Sequence, residues 1–290
     1  MVSPQTSFWL ALARKGKDKM NVLAIEKKLA VISALVEGNS IRSISRMTNV
    51  DRNTINSLLL RTGERCQQIM NERMRNLECR YLQVDEIWTF VQKKRRNVRE
   101  GDPPEMGDQW VYVAIDAESK LIPSFYVGKR VRPDTWRFLW DLHQRLANRV
   151  QLTTDNLNHY TVTVPECFGT ECDFAQLQKM FGKWWMDTPE GKYSPSGLTG
   201  LISKVRQGDP DPSFISTSFV ERQNLTMRMA MRRFTRLTNA FSKKLENLKA
   251  ACALHFAHYN FCRVHGSLRV TPAMAAGVVT EIWPLAHLLA

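Results

Sequence analysis

Between residues 80 and 155 the apolar pattern changes period repeatedly, and this succession limits the fold more than any other feature of the chain. RYLQVDEIWTFV (80–91) is rich in β-branched and aromatic residues and reads as a strand. KKRRNVREGDPPEMGD (93–108) is polar, with glycines and a proline pair, and reads as a loop. WVYVAID (110–116) is a second strand and Leu121 to Val127 a third, so the first three form an antiparallel meander. From Pro133 to Arg149 the spacing turns helical, through Trp136, Leu139, Trp140, Leu142 and Leu146. QLTTD (151–155) is a short strand that ends on a carboxylate. Three strands, a helix and a further strand predict an α/β fold built on a mixed sheet.

The flanks read differently. Ile25, Leu29, Ile32 and Leu35 recur at helical spacing and stop at Gly38-Asn39. Ser40 and Asp51 are able N-caps for two further helices, joined by a turn through Thr48, Asn49 and Val50. This is the layout of a helix-turn-helix, with residues 51–61 as the recognition helix. Arg52, Asn53 and Asn56 lie in its first turns, where Arg suits guanine and Asn suits adenine. A small bundle used for packing or dimerisation has the same pattern. In 156–216, Val162 and Val164 suggest a strand, Phe174 to Phe181 a helix, and the remainder is loop-rich. Thr217 to Arg233 and Ala240 to Cys262 read as helices, the second with Leu245, Leu248, Ala251, Cys252, His255 and Tyr259 in one stripe.

Charge is segregated along the chain, whose formal net charge is +13. Residues 1–75 carry 13 Lys/Arg against 6 Asp/Glu, and residues 213–270 carry 10 against 2, while 76–212 is balanced at 18 against 19. Two basic ends around a neutral middle suit a polyanionic partner: nucleic acid first, an anionic membrane surface second. An ordinary basic protein is the bland alternative. Arg228, Arg232, Arg233 and Arg236, with Lys243 and Lys244, form the densest basic surface and suit phosphate tracking. KKRR (93–96) suits a DNA-contacting hairpin tip or a merely solvated loop. The six cysteines include no CxxC pair and read as reduced thiols of a cytoplasmic protein. No apolar run reaches the length of a membrane span, no signal-peptide pattern is present, and no Gly-rich phosphate loop points to ATP.

Asp85, Asp155 and Glu221 stand on the first strand, on the strand after the long helix, and on a later helix. Carboxylates so placed can hold two hard divalent ions about 4 Å apart for phosphodiester transfer. Each also has a plainer reading. Asp155 can be a turn residue at a strand end. SFVE (218–221) matches a capping box, in which Ser218 caps the helix and Glu221 reaches back to its backbone. Glu86, beside Asp85, can be the functional acid instead. His255, His258, Cys262 and His265 have spacing conceivable for zinc.

The segments QVDEIW (83–88), TTDNLNHY (153–160) and above all 216–277, which begins STSFVERQNLTMRMAMRRF, resemble transposases of the insertion sequence 1 family. That family lies in the Asp-Asp-Glu group with a ribonuclease-H-like fold. The resemblance runs from about residue 20 to the end. It implies Asp85, Asp155 and Glu221 as catalytic ligands of two Mg²⁺ or Mn²⁺ ions. It also implies Arg222, Asn224 and Arg228 at the cleaved DNA end, double-stranded DNA as partner, and a homodimer or higher assembly. Tyr259, Asn260, Arg263 and His265 match a YNxxRxH pattern common in related transposases and integrases, for which helix packing is the plainer reading. Two departures stand out: Asn156 replaces the usual Gly after the second Asp, and no four-cysteine zinc module precedes Cys66. The expected organisation is a disordered extension (1–19), a helix-turn-helix domain (20–76), a ribonuclease-H-like catalytic domain (77–277) with a loop-rich insertion near 156–216, and a C-terminal tail (278–290).

Overall fold

A computed structural model describes residues 23–182, 197–235 and 238–289. The expected N-terminal extension (1–19) lies outside these, and so does Arg236.

Three helices come first: α1 (Ile25–Val36), α2 (Ile41–Thr48) and α3 (Arg52–Arg73). Ser40 Oγ accepts from Ser43 N at 3.0 Å and Asp51 Oδ1 from Asn53 N at 2.8 Å, so both caps act as the sequence suggests. Asn49, at φ 52°, makes the left-handed turn between α2 and α3. Helix α3 continues well past residue 61, because Leu58, Leu59, Cys66, Ile69 and Met70 keep one apolar face buried.

Next come β1 (Tyr81–Val91), β2 (Gly107–Asp116), β3 (Phe125–Gly128), α4 (Arg132–His143), β4 (Val150–Asp155), α5 (Tyr160–Phe168), β5 (Cys172–Phe181) and β6 (Leu198–Gln207). They form one six-stranded sheet in the order β3-β2-β1-β4-β5-β6. β1 pairs antiparallel with β2 and parallel with β4, β4 pairs parallel with β5, and β6 closes the edge antiparallel. This mixed sheet, flanked by helices, is consistent with the ribonuclease-H-like fold. The chain then forms α6 (Ser218–Ala230), α7 (Leu245–Ala257), a π turn over His258–Cys262, and α8 (Pro272–Ala275).

Three local expectations fail in 156–216. Val162 and Val164 lie in α5, not in a strand, since Tyr160, Thr163, Val164, Cys167 and Phe168 bury one helical face. Residues 174–181 form β5, not a helix. Phe174, Ala175, Gln176 and Leu177 are all buried because both faces of this half of β5 are covered, so period-2 alternation is lost and the apolar spacing mimics a helix. Residues 198–207, expected to be loop, form β6, whose Leu198, Leu201, Ile202 and Val205 remain exposed at the sheet edge. The tail also packs: Trp283 stacks on Phe261 at 4.6 Å, and Leu288 is fully buried.

Packing does not divide at residue 76. Helix α3 lies so close to α7 that a Cβ on Gly63 would come within 2.5 Å of Ala250. The buried Arg145 donates to Met70 O at 3.1 Å and to Asn71 Oδ1 at 2.7 Å, tying the end of α3 to the sheet layer.

Asn260 of the YNxxRxH pattern is fully buried. Its side chain accepts from Ile122 N at 3.0 Å and donates to Ile122 O at 2.9 Å, and Tyr259 Oη donates to Lys120 O at 3.1 Å. Both residues thus clamp the turn between β2 and β3. Asn260→Leu leaves two buried backbone groups unpaired and is expected to cost about 2–4 kcal/mol. Urea denaturation checks this; an unchanged midpoint would show that the clamp carries no stability.

Candidate active site

β4 pairs with β1 only from Tyr81 to Val84, and β4 itself ends at Asp155. Beyond that point the two parallel strands open into a crevice at their carboxyl ends, a usual place for sites in such sheets. Asp85 is the first β1 residue past the pairing, and Asp155 is the last of β4. Carboxylate oxygens of Asp85, Glu86 and Asp155 all lie within 4.8 Å of one another.

Asp85 faces α6. Its Oδ2 accepts from Asn224 Nδ2 at 2.8 Å, and its Oδ1 from Glu86 N at 2.8 Å. Burial, with the charges of Asp155 and Glu221, pushes its carboxyl well above the usual range, against those two hydrogen bonds. Glu86 faces α5. It accepts from the buried Tyr160 hydroxyl and pairs with Arg130 Nη2 at 3.0 Å. Burial pushes its carboxyl up as well, with Asp155 adding to the effect and Tyr160 and Arg130 opposing it. Arg130 stacks on Trp110 at 4.6 Å and also reaches Asp155 Oδ2 at 3.3 Å. The other Asp155 oxygen accepts from Leu157 N at 2.9 Å, and Gln176 of β5 holds the Asp155 carbonyl at 2.9 Å. Asn156 is not among the residues of positive φ, so this turn needs no left-handed residue and the missing glycine costs nothing.

Glu221 stands one turn into α6. Gln83 of β1 sets that helix against the sheet: its buried Oε1 accepts from Phe219 N at 2.8 Å and Val220 N at 3.2 Å, satisfying two otherwise unpartnered amides of the first turn. The capping-box reading fails. The N-cap is Thr217 rather than Ser218, and it makes no side-chain cap. Glu221 Oε1 instead accepts from the Thr217 hydroxyl at 2.7 Å, and its carboxylate pairs with Lys179 of β5. Glu221 therefore lies outside the tight group of Asp85, Glu86 and Asp155, yet near enough for its charge to act on Asp85.

These groups suit a hard divalent cation. All donors are oxygens, the half-buried Asp85 carboxylate stands beside two further acids, and Asn224 Oδ1 has no hydrogen-bond partner. Arg130 and Lys179 are the positive groups now held by these acids.

The remaining predicted residues fall into distinct places. Asn224, expected at DNA, is buried and committed to Asp85. Arg222 is exposed on α6, and Arg228 is half-buried two turns beyond Glu221. Arg233, expected on the open basic surface, is half-buried and donates to Ser242 Oγ at 2.9 Å. Arg232, Lys243 and Lys244 are exposed, as are Arg52 and Asn53; Asn56 is half-buried and donates to Arg52 O at 3.0 Å. Sequence reasoning missed Gln83, Arg130, Tyr160 and Lys179. A polar Gln two residues before Asp85, on the same face of β1, was the one available signal.

His255, His258, Cys262 and His265 do not form a metal-sized group; among the described residues only the acidic cluster does. His255 is buried, which holds its imidazole down at about 3, with His258 and Arg263 contributing. Between its ordinary 6.5 and about 3, the unfolded chain takes up a proton that the folded chain refuses. Stability should therefore fall with pH across this window, by about 1.4 kcal/mol per pH unit from this group. His255→Gln is expected to flatten the acid limb of a plot of Tm against pH; an unchanged slope would contradict this.

Fold and crevice together define an α/β protein with an acidic cluster at the carboxyl ends of two parallel strands. No protein-family model and no curated protein matches the chain. Among solved structures, it is similar to the Mos1 transposase paired-end complex with left transposon end, at 15% identity over 60% of this chain and 67% of that one, with a TM-score of 0.24. The Mos1 strand transfer complex gives 16% identity over 60% and 67%, with a TM-score of 0.24. The piggyBac transposase synaptic complex with hairpin DNA gives 10% over 96% and 73%, with a TM-score of 0.38. Scores this low establish no residue correspondence, so the chemistry rests on the side chains themselves.

Proposed function

We propose that the chain is a DNA transposase of the Asp-Asp-Glu kind, in line with its sequence resemblance to the insertion sequence 1 family. It would cleave the ends of an insertion element and join the freed 3′-hydroxyl to target DNA. The observation that carries this reading is the meeting of Asp85 and Asp155 at the open ends of β1 and β4, with the helix of Glu221 clamped to β1 by Gln83.

Asp85, Asp155 and Glu221 would hold two Mg²⁺ or Mn²⁺ ions. When bound, these supply charge neutralisation at the scissile phosphate and stabilisation of the attacking and leaving oxygens. Asn224 fixes the orientation of Asp85 through its 2.8 Å hydrogen bond. Arg130 holds Asp155 and Glu86 together, and Lys179 holds Glu221 until its carboxylate is needed. Arg222 and Arg228, along α6 from Glu221, would meet the phosphates of the element end. Arg52 and Asn53 on the helix-turn-helix would contact the DNA. Joining two ends calls for a dimer or larger assembly on DNA. No helix among the described residues is long and apolar enough to cross a membrane.

The deciding experiment incubates the protein with a terminal-repeat duplex and Mg²⁺, then supplies a duplex pre-cut at the 3′ end together with target DNA. Nicking followed by joined product is expected. Nicking without joining would mark a nuclease of the same fold, and no nicking a DNA-binding protein without catalysis.

A further inference from the structure

The first turn of α3 faces another part of the molecule. Arg52, Asn53 and Asn56 line a groove of about 820 Å³ that is also lined by residues of 230–233 and 238–243. Arg42 and Arg52 stand on one wall, Arg232 and Lys243 on the other, and all four are exposed. Asp51 is the one acidic residue lining the groove among the described residues, and its carboxylate already caps α3. The buried His255 also contributes to the lining.

The walls are held at fixed separation. Gly63 of α3 meets Ala250 of α7, and Gly38, just past α1, approaches the last turn of α6: a Cβ there would lie 3.0 Å from Ala230 O. Neither contact leaves room for a side chain, so the helix-turn-helix is seated on the sheet domain rather than tethered to it. Arg233, bonded to Ser242, braces the second wall from within.

We propose that this groove is one composite binding site for the DNA backbone, in which the start of the recognition helix on one side, and Arg232 and Lys243 on the other, grip the phosphates of the same strand. The two basic blocks of the sequence are then the two sides of a single site. Positive groups spread along both walls suit a run of phosphates better than one isolated phosphate, and each Arg offers a planar fork that fits phosphate oxygens. The inference rests on the reading that the chain works on DNA, but not on its chemistry.

The test measures binding of the full chain to a fluorescent mixed-sequence duplex in EDTA, so that no cleavage occurs, across a range of salt concentrations. Arg52→Ala and Lys243→Ala are each expected to weaken binding and to lower the salt slope by about one. The double variant is expected to lose about the product of the two single losses at unchanged stoichiometry, because both contacts belong to one binding event. Titrations in which either single variant keeps part of the binding at wild-type affinity, with a changed stoichiometry, would show two independent sites and overturn the proposal, as would variants that bind like the wild type. A wild type that binds no duplex even at low salt would instead remove the DNA reading itself. Circular dichroism confirms that each variant is folded.

Discussion

Asp155→Asn is expected to lower Mg²⁺-dependent strand cleavage at least about a thousandfold, equivalent to roughly 4 kcal/mol of lost transition-state stabilisation. The substitution keeps the shape of the side chain. The Asn oxygen can still accept from Leu157 N, as Asp155 does at 2.9 Å, and the turn stays held by Gln176. What disappears is one negative charge at the point where β1 and β4 part. Since the side chain is 36% exposed, its loss leaves no buried gap. Thermal unfolding in EDTA should therefore change little, while calorimetric titration with Mn²⁺ should show weaker binding. Equal product from wild type and variant would remove Asp155 from the chemistry. Weak activity with a large drop in Tm would mean that its role is structural.

Glu86→Ala carries the largest expected effect on stability. The Glu86 side chain is fully enclosed, bonded to Tyr160 and paired with Arg130. Removing it leaves the buried Tyr160 hydroxyl without a partner and the Arg130 guanidinium, one-third exposed, without its enclosed one. Breaking a buried pair in this way costs about 3–5 kcal/mol. For a chain of this size that lowers Tm by roughly 10 °C. Glu86→Gln keeps an acceptor for Tyr160 and should recover much of the loss. If Glu86 were instead a metal ligand in place of Asp85, Glu86→Gln would abolish Mn²⁺ binding while Asp85→Asn would not. The opposite is expected: Asp85 lies on the α6 side with Glu221, while Glu86 is committed to α5 and Arg130.

Much of this arrangement is legible in the sequence where local chemistry decides it. Ser40 and Asp51 cap helices because a short side-chain oxygen reaches its own backbone amide, a contact that needs nothing distant. The runs 80–91, 110–116 and 151–155 are strands because β-branched and aromatic residues dominate them. Asp155 could be placed at a strand end for the same reason. β5 and β6 were not legible. β5 is buried on both faces and β6 on neither, so neither alternates, and only their neighbours in the sheet determine that they are strands. The capping-box motif at 218–221 misled because its residues also fit a different bond, between Thr217 and Glu221, once Gln83 satisfies the helix amides.

The order of residues alone set the capped helices, the strands β1, β2 and β4, the two basic blocks and the candidate acids, since periodicity, capping and charge are properties of short segments. Tertiary structure alone decided which acids meet, and which cations they hold. Gln83 and Phe219 are 136 residues apart, and Asn224 and Asp85 are 139 apart. Contacts over such distances follow from how strands and helices stack, and no local pattern encodes them. Folding likewise brought residues of two remote basic segments to line one groove, with α3 packed closely against α7.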